Sequence, residues 1–551
     1  MKKRIVAALS VCIWSFLGPA GSEATFPEPS IAHWPLSISN ERKDPDYQKI
    51  LELARGKKYR EAMELVEKKA RQFPKEGTPR FLRAFLLNEM GDYRQALAAL
   101  REASGDQERS LMGHASAGEQ SRHPALYFGY CQVYRNLGDS ERSERACKIA
   151  IDQHADSPQP HYEYAQTLAA MGMMENANGE LEQASRIDPA NPRYHFERGM
   201  NYFYLNRAGD AEKAFLKALA ADPNDSSSAY QLGYLHASKK EKDKALPYVK
   251  RVLDGDKDNP YWQSAKTLLD YLNKDELDRL AMKTDPHEYH MGRSQALYRS
   301  GKYGLSLLEI QTASRLQPKD VKTLEILVGM TSALLRIEQD EASVARLIDL
   351  AKGDPVVEAS GYQELGDIRV LQGDLDDARK NYEKALSLGD PNQLAKTSLA
   401  EFPKDPSIPI LRANPDELIA QPAEGLNQKG EIFAHYGMYE RAIAMFALAM
   451  QMDPSHLMSK LNIATAYYHA GKYDRSISIL ERILLTSGNH PHILAHRLLL
   501  AQAYAKNGNA EACIKNLEIA LKLNPGAKKA IAENPAFQSL KDRETFKKLI
   551  Q

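Results

Sequence analysis

The sequence predicts an all-α protein, an α–α superhelix of about 12 stacked helical hairpins with interruptions. Three observations predict it. The stretch GMYERAIAMFALAMQMDP (residues 437–454) spaces Gly, Tyr, Ala, Phe, Ala and Pro as a helix between a turn and a stop signal would, and that spacing recurs along the chain. Apolar residues elsewhere follow helical rather than strand periodicity. At 551 residues, with 43% apolar and 26% charged side chains, the chain has the composition of a soluble folded protein but exceeds a single ordinary core.

Taking Gly437 as position 15 of a 34-residue unit puts Gly430 at 8, Tyr439 at 17, Ala442 at 20, Phe446 at 24, Ala449 at 27 and Pro454 at 32. The same pattern returns in Gly366, Gly373, Ala378, Tyr382 and Ala385, and in Gly199, Ala211, Phe215, Ala218 and Pro223. Gly301, Tyr303, Ala313 and Pro318 form another copy, as do Tyr504, Gly508, Ala520 and Pro525. Fainter copies carry Gly91, Tyr93, Ala96 and Ala103, then Tyr59, Ala62 and Pro74, then Gly471 and Tyr473. Four units beginning at Pro124, Pro158, Pro192 and Ser226 keep the period without slippage. Two antiparallel helices cross closely only where side chains are small, and proline ends the second helix. This pattern resembles the tetratricopeptide repeat (TPR), so the predicted superhelix is a TPR solenoid.

In chain order, Lys2, Lys3 and Arg4, an apolar run from Ile5 to Leu17 and the small residues around Ser22-Glu23-Ala24 read as a signal peptide over residues 1–24. The run falls short of the ~20 residues that span a bilayer, so no stable transmembrane span is expected in the mature chain. An N-terminal extension follows at 25–42, then an N-terminal TPR array at 43–259, broken by a polar insertion at 104–123. Residues 260–286 place Trp262, Leu268, Leu269, Tyr271 and Leu272 at helical spacing and read as inserted helices. Middle repeats occupy 287–392, a proline-containing connector 393–422 and a C-terminal array 423–527. Residues 528–551 read as a single capping helix, with Phe537, Leu540, Phe546, Leu549 and Ile550 on one side covering the last repeat.

Lys+Arg and Asp+Glu both number 73, so no basic field points to nucleic acid. Removing residues 1–24 takes away three basic residues and Glu23, for a net charge of −2 in the mature chain. No phosphate-binding glycine loop, dinucleotide fingerprint or CxxC occurs. His287-Glu288-Tyr289-His290 is one residue short of the HExxH zinc motif, and Ser116 lacks the glycine a nucleophile elbow needs. His490, His492 and His496 have no carboxylate or cysteine to complete a metal set. The expectation is therefore no enzyme, no metal and no cofactor.

The repeat register places Cys131 at position 8 and Cys147 at position 24 of one unit, on facing helices, and Cys513 at position 20 of another. All three fit as small buried apolar residues, and in an oxidising compartment Cys131 and Cys147 also fit as a disulfide. In TPR proteins the first helix of each repeat lines the concave groove. Position 5 along the N-terminal array reads Phe81, Phe128, Tyr162, Phe196 and Tyr230, an aromatic ladder that thickens at Met200, Phe203, Tyr204 and Tyr234. In the C-terminal half the register reads Gln363, Asn427, Leu461 and Leu498. The ladder is either inter-helix packing or a ligand groove. Arg135 and Arg193 are the basic residues that face it, too few for the carboxylate-clamp mode of some TPR proteins. The expected function is a non-catalytic protein–protein interaction scaffold, periplasmic or secreted and at or near the outer membrane. Its expected partners are other envelope or secreted proteins. A carbohydrate-binding factor for polysaccharide synthesis or export is the alternative.

Overall fold

The computed structural model describes residues 44–74, 77–104, 126–257, 259–274, 285–390, 392–405, 407–414, 417–486 and 493–551. The expected signal peptide, the N-terminal extension, most of the polar insertion, and His490 and His492 lie outside them. The described residues are helix after helix with no strand among them, and they divide into two compact units, 44–323 and 324–551.

The first unit contains paired antiparallel helices: α1 (Pro45–Arg55) with α2 (Tyr59–Gln72), α3 (Gly77–Glu89) with α4 (Tyr93–Ser104), and α5 (Leu126–Asn136) with α6 (Ser140–Gln153). Next come α7 (Pro158–Ala170) with α8 (Met174–Ile187), α9 (Pro192–Tyr204) with α10 (Ala208–Ala221), and α11 (Ser226–Ser238) with α12 (Lys242–Leu253). A single helix α13 (Trp262–Lys274) follows, then the hairpin α14 (Pro286–Arg299) and α15 (Tyr303–Leu316). In the second unit lie α16 (Val321–Ala333, its first turn falling before the division) with α17 (Ile337–Leu350), α18 (Pro355–Gln372) with α19 (Leu375–Ser387), and the short α20 (Leu394–Ala400). The array continues with α21 (Pro422–His435) and α22 (Tyr439–Met452), α23 (Leu457–His469) and α24 (Tyr473–Thr486), and α25 (Ile493–Lys506) and α26 (Ala510–Leu523).

Each hairpin is built from the same local chemistry. Several first helices open on an Asp or Asn cap followed by proline, as at Asp44-Pro45, Asn191-Pro192, Asp285-Pro286 and Asp354-Pro355. The cap oxygen accepts a backbone N–H that the helix cannot satisfy, and proline's missing N–H costs nothing there. The turn between paired helices needs one left-handed residue, and twelve hairpins each supply one at position 15. Eight are glycines, including Gly437 at φ 78°; the others are Lys57, Asn206, Lys240 and Leu335.

Within a hairpin, position 8 of the first helix meets position 24 of the second. A Cβ on Gly430 or Gly366 would lie 2.5 Å from the ring of Phe446 or Tyr382, and Gly199 stands in the same relation to Phe215. Gly233 faces Val249 in the same way. Small opposite large is thus a steric requirement: the large side chain occupies the volume the small one leaves open. Ala442 and Ala449, at positions 20 and 27, are wholly buried.

The interruptions are structured. α13 closes the end of the α11–α12 hairpin, burying Ala265, Leu268 and Leu272 against Leu232, Val249 and Val252. The connector is held along its length rather than bending freely. Ala413 N–H donates to Leu371 O at 2.9 Å, and the Tyr436 hydroxyl donates to Leu411 O at 2.8 Å. The Glu401 carboxylate accepts the Glu440 N–H at the start of α22.

The C-terminal cap corrects one expectation. Instead of one helix it is a 3-10 turn (Pro525–Ala527), α27 (Lys528–Glu533), a second 3-10 segment (Pro535–Leu540) and α28 (Glu544–Ile550). The break follows from Asn534-Pro535: the asparagine side chain accepts the Ala536 N–H and caps a new start. Phe537, Leu540 and Phe546 still cover Ala501, Cys513 and Leu517 of the last hairpin.

Candidate functional site

The aromatic ladder splits into two populations. Phe81, Phe128, Tyr162 and Phe196 are 1%, 3%, 8% and 5% exposed, so these rings are packing rather than an open surface. Position 5 packs against the next hairpin at Phe81 and Tyr162, and against the second helix of its own hairpin at Phe196. Phe196 packs on Phe215 with ring centroids 5.8 Å apart, Tyr162 lies 5.7 Å from Tyr194, and Phe81 abuts α5 at Gly129. The ligand-groove reading is withdrawn for these four residues.

Met200, Phe203, Tyr230 and Tyr234 are half-buried and pack together between the last turns of α9 and the middle of α11, and half-buried Tyr204 joins them through Phe203. Phe203 lies 6.0 Å from Tyr204 and 6.1 Å from Tyr234, and Tyr230 lies 6.4 Å from Tyr234 and 5.2 Å from Tyr261. Tilted and edge-on pairs of this kind gain from ring quadrupoles as well as from burial.

The cluster has a member that the repeat register does not supply. Tyr289, on α14, stacks on Tyr204 with centroids 3.6 Å apart. It is one residue of the incomplete zinc-like motif, and its neighbours explain the charged spacing there. His290 Nδ1 and Arg293 Nε hold the two oxygens of buried Glu309 at 2.6 and 2.8 Å, and Arg293 NH1 donates to the Tyr289 hydroxyl at 2.7 Å. Burial pushes the Tyr289 phenol up to about 12, and burial does the same at Tyr230. Both rings therefore remain neutral phenols at ordinary pH, suited to stacking and hydrogen bonding rather than to proton abstraction.

The α14–α15 hairpin reaches this position by folding back along the turns of earlier repeats. Gly304 meets the backbone of Gly138 closely enough that a Cβ on either would collide. Thr312 Oγ1 donates to Ala170 O at 3.1 Å, and Arg315 NH2 donates to Met171 O at 2.7 Å. The two arginines of the ladder face are matched within it: Arg135 NH1 pairs with Glu163 Oε2 at 2.6 Å, and Arg193 donates to the Tyr162 hydroxyl at 2.6 Å with Glu197 at 3.7 Å. The face thus offers half-buried rings and internally compensated charge.

Cys131 and Cys147 are joined as a disulfide, Cα atoms 5.0 Å apart and sixteen residues apart in sequence. That is the separation of Gly199 from Phe215 and of Gly430 from Phe446. The bond therefore stands where other hairpins place a small residue against a large one. Cys513 is a buried free thiol. In the second unit position 5 is polar at Asn427, whose amide joins Glu431 and Asn462 in a hydrogen-bonded row. Among the described residues no group of histidines, cysteines and carboxylates could hold a metal, and no helix is long and apolar enough to cross a membrane.

Three tetratricopeptide-repeat family models match the chain, at residues 196–260, at 434–496, and at 359–388 and 497–526. No curated protein matches the sequence. Among solved structures the chain is similar to the TPR domain of P58(IPK), at 15% identity over 71% of this chain and 97% of that one, TM-score 0.21. It is also similar to YrrB, described as a TPR protein with an unusual peptide-binding site, at 20% identity over 37% and 97%, TM-score 0.27. The Cut9–Hcn1 structure matches at 13% identity over 94% and 97%, TM-score 0.26. The three family-model matches identify tetratricopeptide repeats in this chain, and proteins built from this repeat generally mediate protein–protein interactions.

Proposed function

We propose that this protein is a non-catalytic interaction scaffold exported to the cell envelope, periplasmic or secreted, which holds a segment of a partner protein. The observation that carries the reading is the half-buried cluster of Met200, Phe203, Tyr204, Tyr230 and Tyr234 between the last turns of α9 and the middle of α11. Rigid aromatic side chains give large contact area at low entropic cost and dominate binding energy at interfaces. Export is supported by the leader-like first 24 residues and by the Cys131–Cys147 disulfide, a bond that persists in oxidising compartments. The internally paired arginines favour a partner segment without net charge. The same compensation, with ring faces and phenol hydroxyls, favours a neutral oligosaccharide as the second reading.

The test is a comparison of wild type with Phe203→Ala/Tyr234→Ala as bait in envelope extract of the native host, with circular dichroism to establish that both fold. Proteins captured by wild type and lost from the double variant support the scaffold. Capture that is unchanged removes the cluster from the binding surface. Quenching of tyrosine fluorescence by neutral oligosaccharides, abolished in the variant, transfers the site to the second reading. Fractionation of the host addresses location, since recovery of the chain from cytosol with residues 1–24 attached refutes export.

A further inference from the structure

Inside the second unit, five ionisable side chains meet away from water. Lys429 and Asp367 are 0% exposed, Arg441 and Asp340 2%, and Glu364 7%. They come from α17 (Asp340), α18 (Glu364, Asp367), α21 (Lys429) and α22 (Arg441), and the polar partners Thr331 and Ser332 come from the end of α16. Lys429 Nζ lies 2.7 Å from Glu364 Oε1 and 3.8 Å from Asp367 Oδ2, and donates to Ser332 Oγ at 2.8 Å. Arg441 pairs with Asp367 Oδ2, and the Tyr382 hydroxyl of α19 donates to Asp367 Oδ1 at 2.8 Å. These contacts span the connector. They seat α21 on the α16–α18 segment, where Gly425 also lets the backbone approach Ala333 O.

The cluster holds three carboxyl groups against two cations. Fully ionised it would bury a net negative charge, which a low-dielectric interior opposes strongly. The hydrogen bonds say where the balance is made. Asp367 receives donors on both oxygens and pairs with Arg441, and Glu364 receives the Lys429 ammonium and the Ser332 hydroxyl. Burial raises the Asp367 carboxyl, but these donors and the Arg441 and Lys429 charges favour its ionised form, as they do that of Glu364. Asp340 differs, because its side-chain partner is the Thr331 hydroxyl, at 2.9 Å from Oδ1. That hydroxyl carries a single hydrogen and also sits 2.9 Å from Leu327 O and 3.1 Å from Val328 O, carbonyls that can only accept. Asp340 therefore receives at most a share of one hydroxyl donor, whereas Asp367 receives Tyr382, Gln363 and Arg441, and Glu364 receives Lys429 and Ser332, so Asp340 is the carboxyl least supported as an anion.

We propose that the C-terminal array docks on the α16–α18 segment with uptake of a proton at Asp340, so that this seam loosens as pH rises. The charged groups acting on Asp340 are Glu364 and Asp367 of α18 and Lys429 of α21; Arg441 of α22 and Tyr382 of α19 bind Asp367, and Glu341, next to Asp340 in sequence, pairs with Arg369 at 2.7 Å. Burial first, and the Glu364 charge next, hold the Asp340 carboxyl well above the usual range. A group raised on folding contributes stability that is full below its unfolded value and is lost as pH rises toward its folded value. Between those values the docked-to-undocked ratio falls about tenfold per pH unit.

The experiment follows the full chain from about pH 5 to about pH 8.5 by urea unfolding, in wild type and in Asp340→Asn, which is a permanent mimic of the protonated acid. The expected result is a wild-type stability that falls relative to the variant as pH rises. Curves that stay parallel across the range overturn the proposal. Infrared difference spectra supply a readout that does not depend on the variant's stability. Wild type should show the carbonyl stretch of a buried protonated carboxylic acid at neutral pH, lost in Asp340→Asn, and its absence from wild type overturns the proposal outright.

Discussion

The disulfide permits a quantitative test of the hairpin logic. Cys131 and Cys147 occupy the small and large positions of the α5–α6 hairpin, and the next hairpin fills the same places with Ala165 and Leu181. Closing a loop of sixteen residues should restrict the unfolded chain by about 3 kcal/mol. Cys131→Ala/Cys147→Ala removes that constraint and also leaves the contact unfilled, for a total loss of about 3–4 kcal/mol. Cys131→Ala/Cys147→Leu removes the constraint but restores a large side chain at position 24. Leucine burial should return about 1–2 kcal/mol of the loss. The expected order is wild type, then the Ala/Leu variant, then the Ala/Ala variant. Because repeat arrays unfold in sections, the assay is urea unfolding of the full chain combined with native hydrogen exchange of the α5–α6 amides. If the Ala/Leu variant is no more stable than Ala/Ala, position 24 is not the packing partner of position 8 and the repeat register is wrong. If Ala/Ala equals wild type under oxidising conditions, the bond contributes nothing to this hairpin.

Phe196→Ala should cost about 3–5 kcal/mol of folding stability, because the ring is buried against Phe215, whereas Phe203→Ala at the half-buried cluster should cost clearly less; equal urea midpoints contradict the division of the ladder. Gly91→Ala meets open space and should cost only the left-handed backbone, about 1 kcal/mol, while Gly138→Ala also strikes Gly304 and should cost more, a difference read as melting temperature. The Lys69 ammonium, 2.7 Å from Asp44, holds that carboxyl below the usual range, so its contribution is present above the unfolded value and fades as pH falls through the acid limb. Asp44→Asn should flatten that limb for exchange of the α1–α2 amides, and an unchanged limb would show the pair to be inert.

Hairpins were legible in the sequence because their determinants are local. A left-handed residue at position 15, small residues at 8 and 20, and proline or an Asx-proline step at helix ends act within one 34-residue unit, and repetition separates them from accident. The ladder was half legible for the same reason. Periodicity located position 5 but not which neighbour each ring would meet, and a ring at that position packs inward wherever the next hairpin is in register, as at Phe128 and Tyr162. Tyr230 is open further along, where the regular array gives way to α13. The terminal cap was placed correctly as a cover but misread as one helix, since Pro535 outweighs the apolar spacing around it.

What the repeat pattern could not carry is contact between distant repeats, and the glycines show why. Gly91, Gly138, Gly172 and Gly437 all stand at position 15 with φ between 76° and 82°, and each is fully accounted for by its turn. A Cβ at Gly91 or Gly437 would meet nothing, whereas at Gly138 it would meet Gly304 and at Gly172 the side chain of Thr312. Two of these glycines therefore serve the turn and a second helix at once, and the second duty leaves no mark because the residue type is already explained. The same concealment applies to Tyr289 and His290, whose spacing in α14 looks like an abortive metal motif until α9 and Glu309 are brought beside them. It applies again to Lys429 and Asp340, which occupy helical positions where a solvated charge is the ordinary expectation. In a solenoid each repeat contacts chiefly its neighbours, so the periodic signal describes the stack. The half-buried aromatic cluster and the buried charge cluster both arise where the chain departs from it, through the returning α14–α15 hairpin in one unit and the pinned connector in the other.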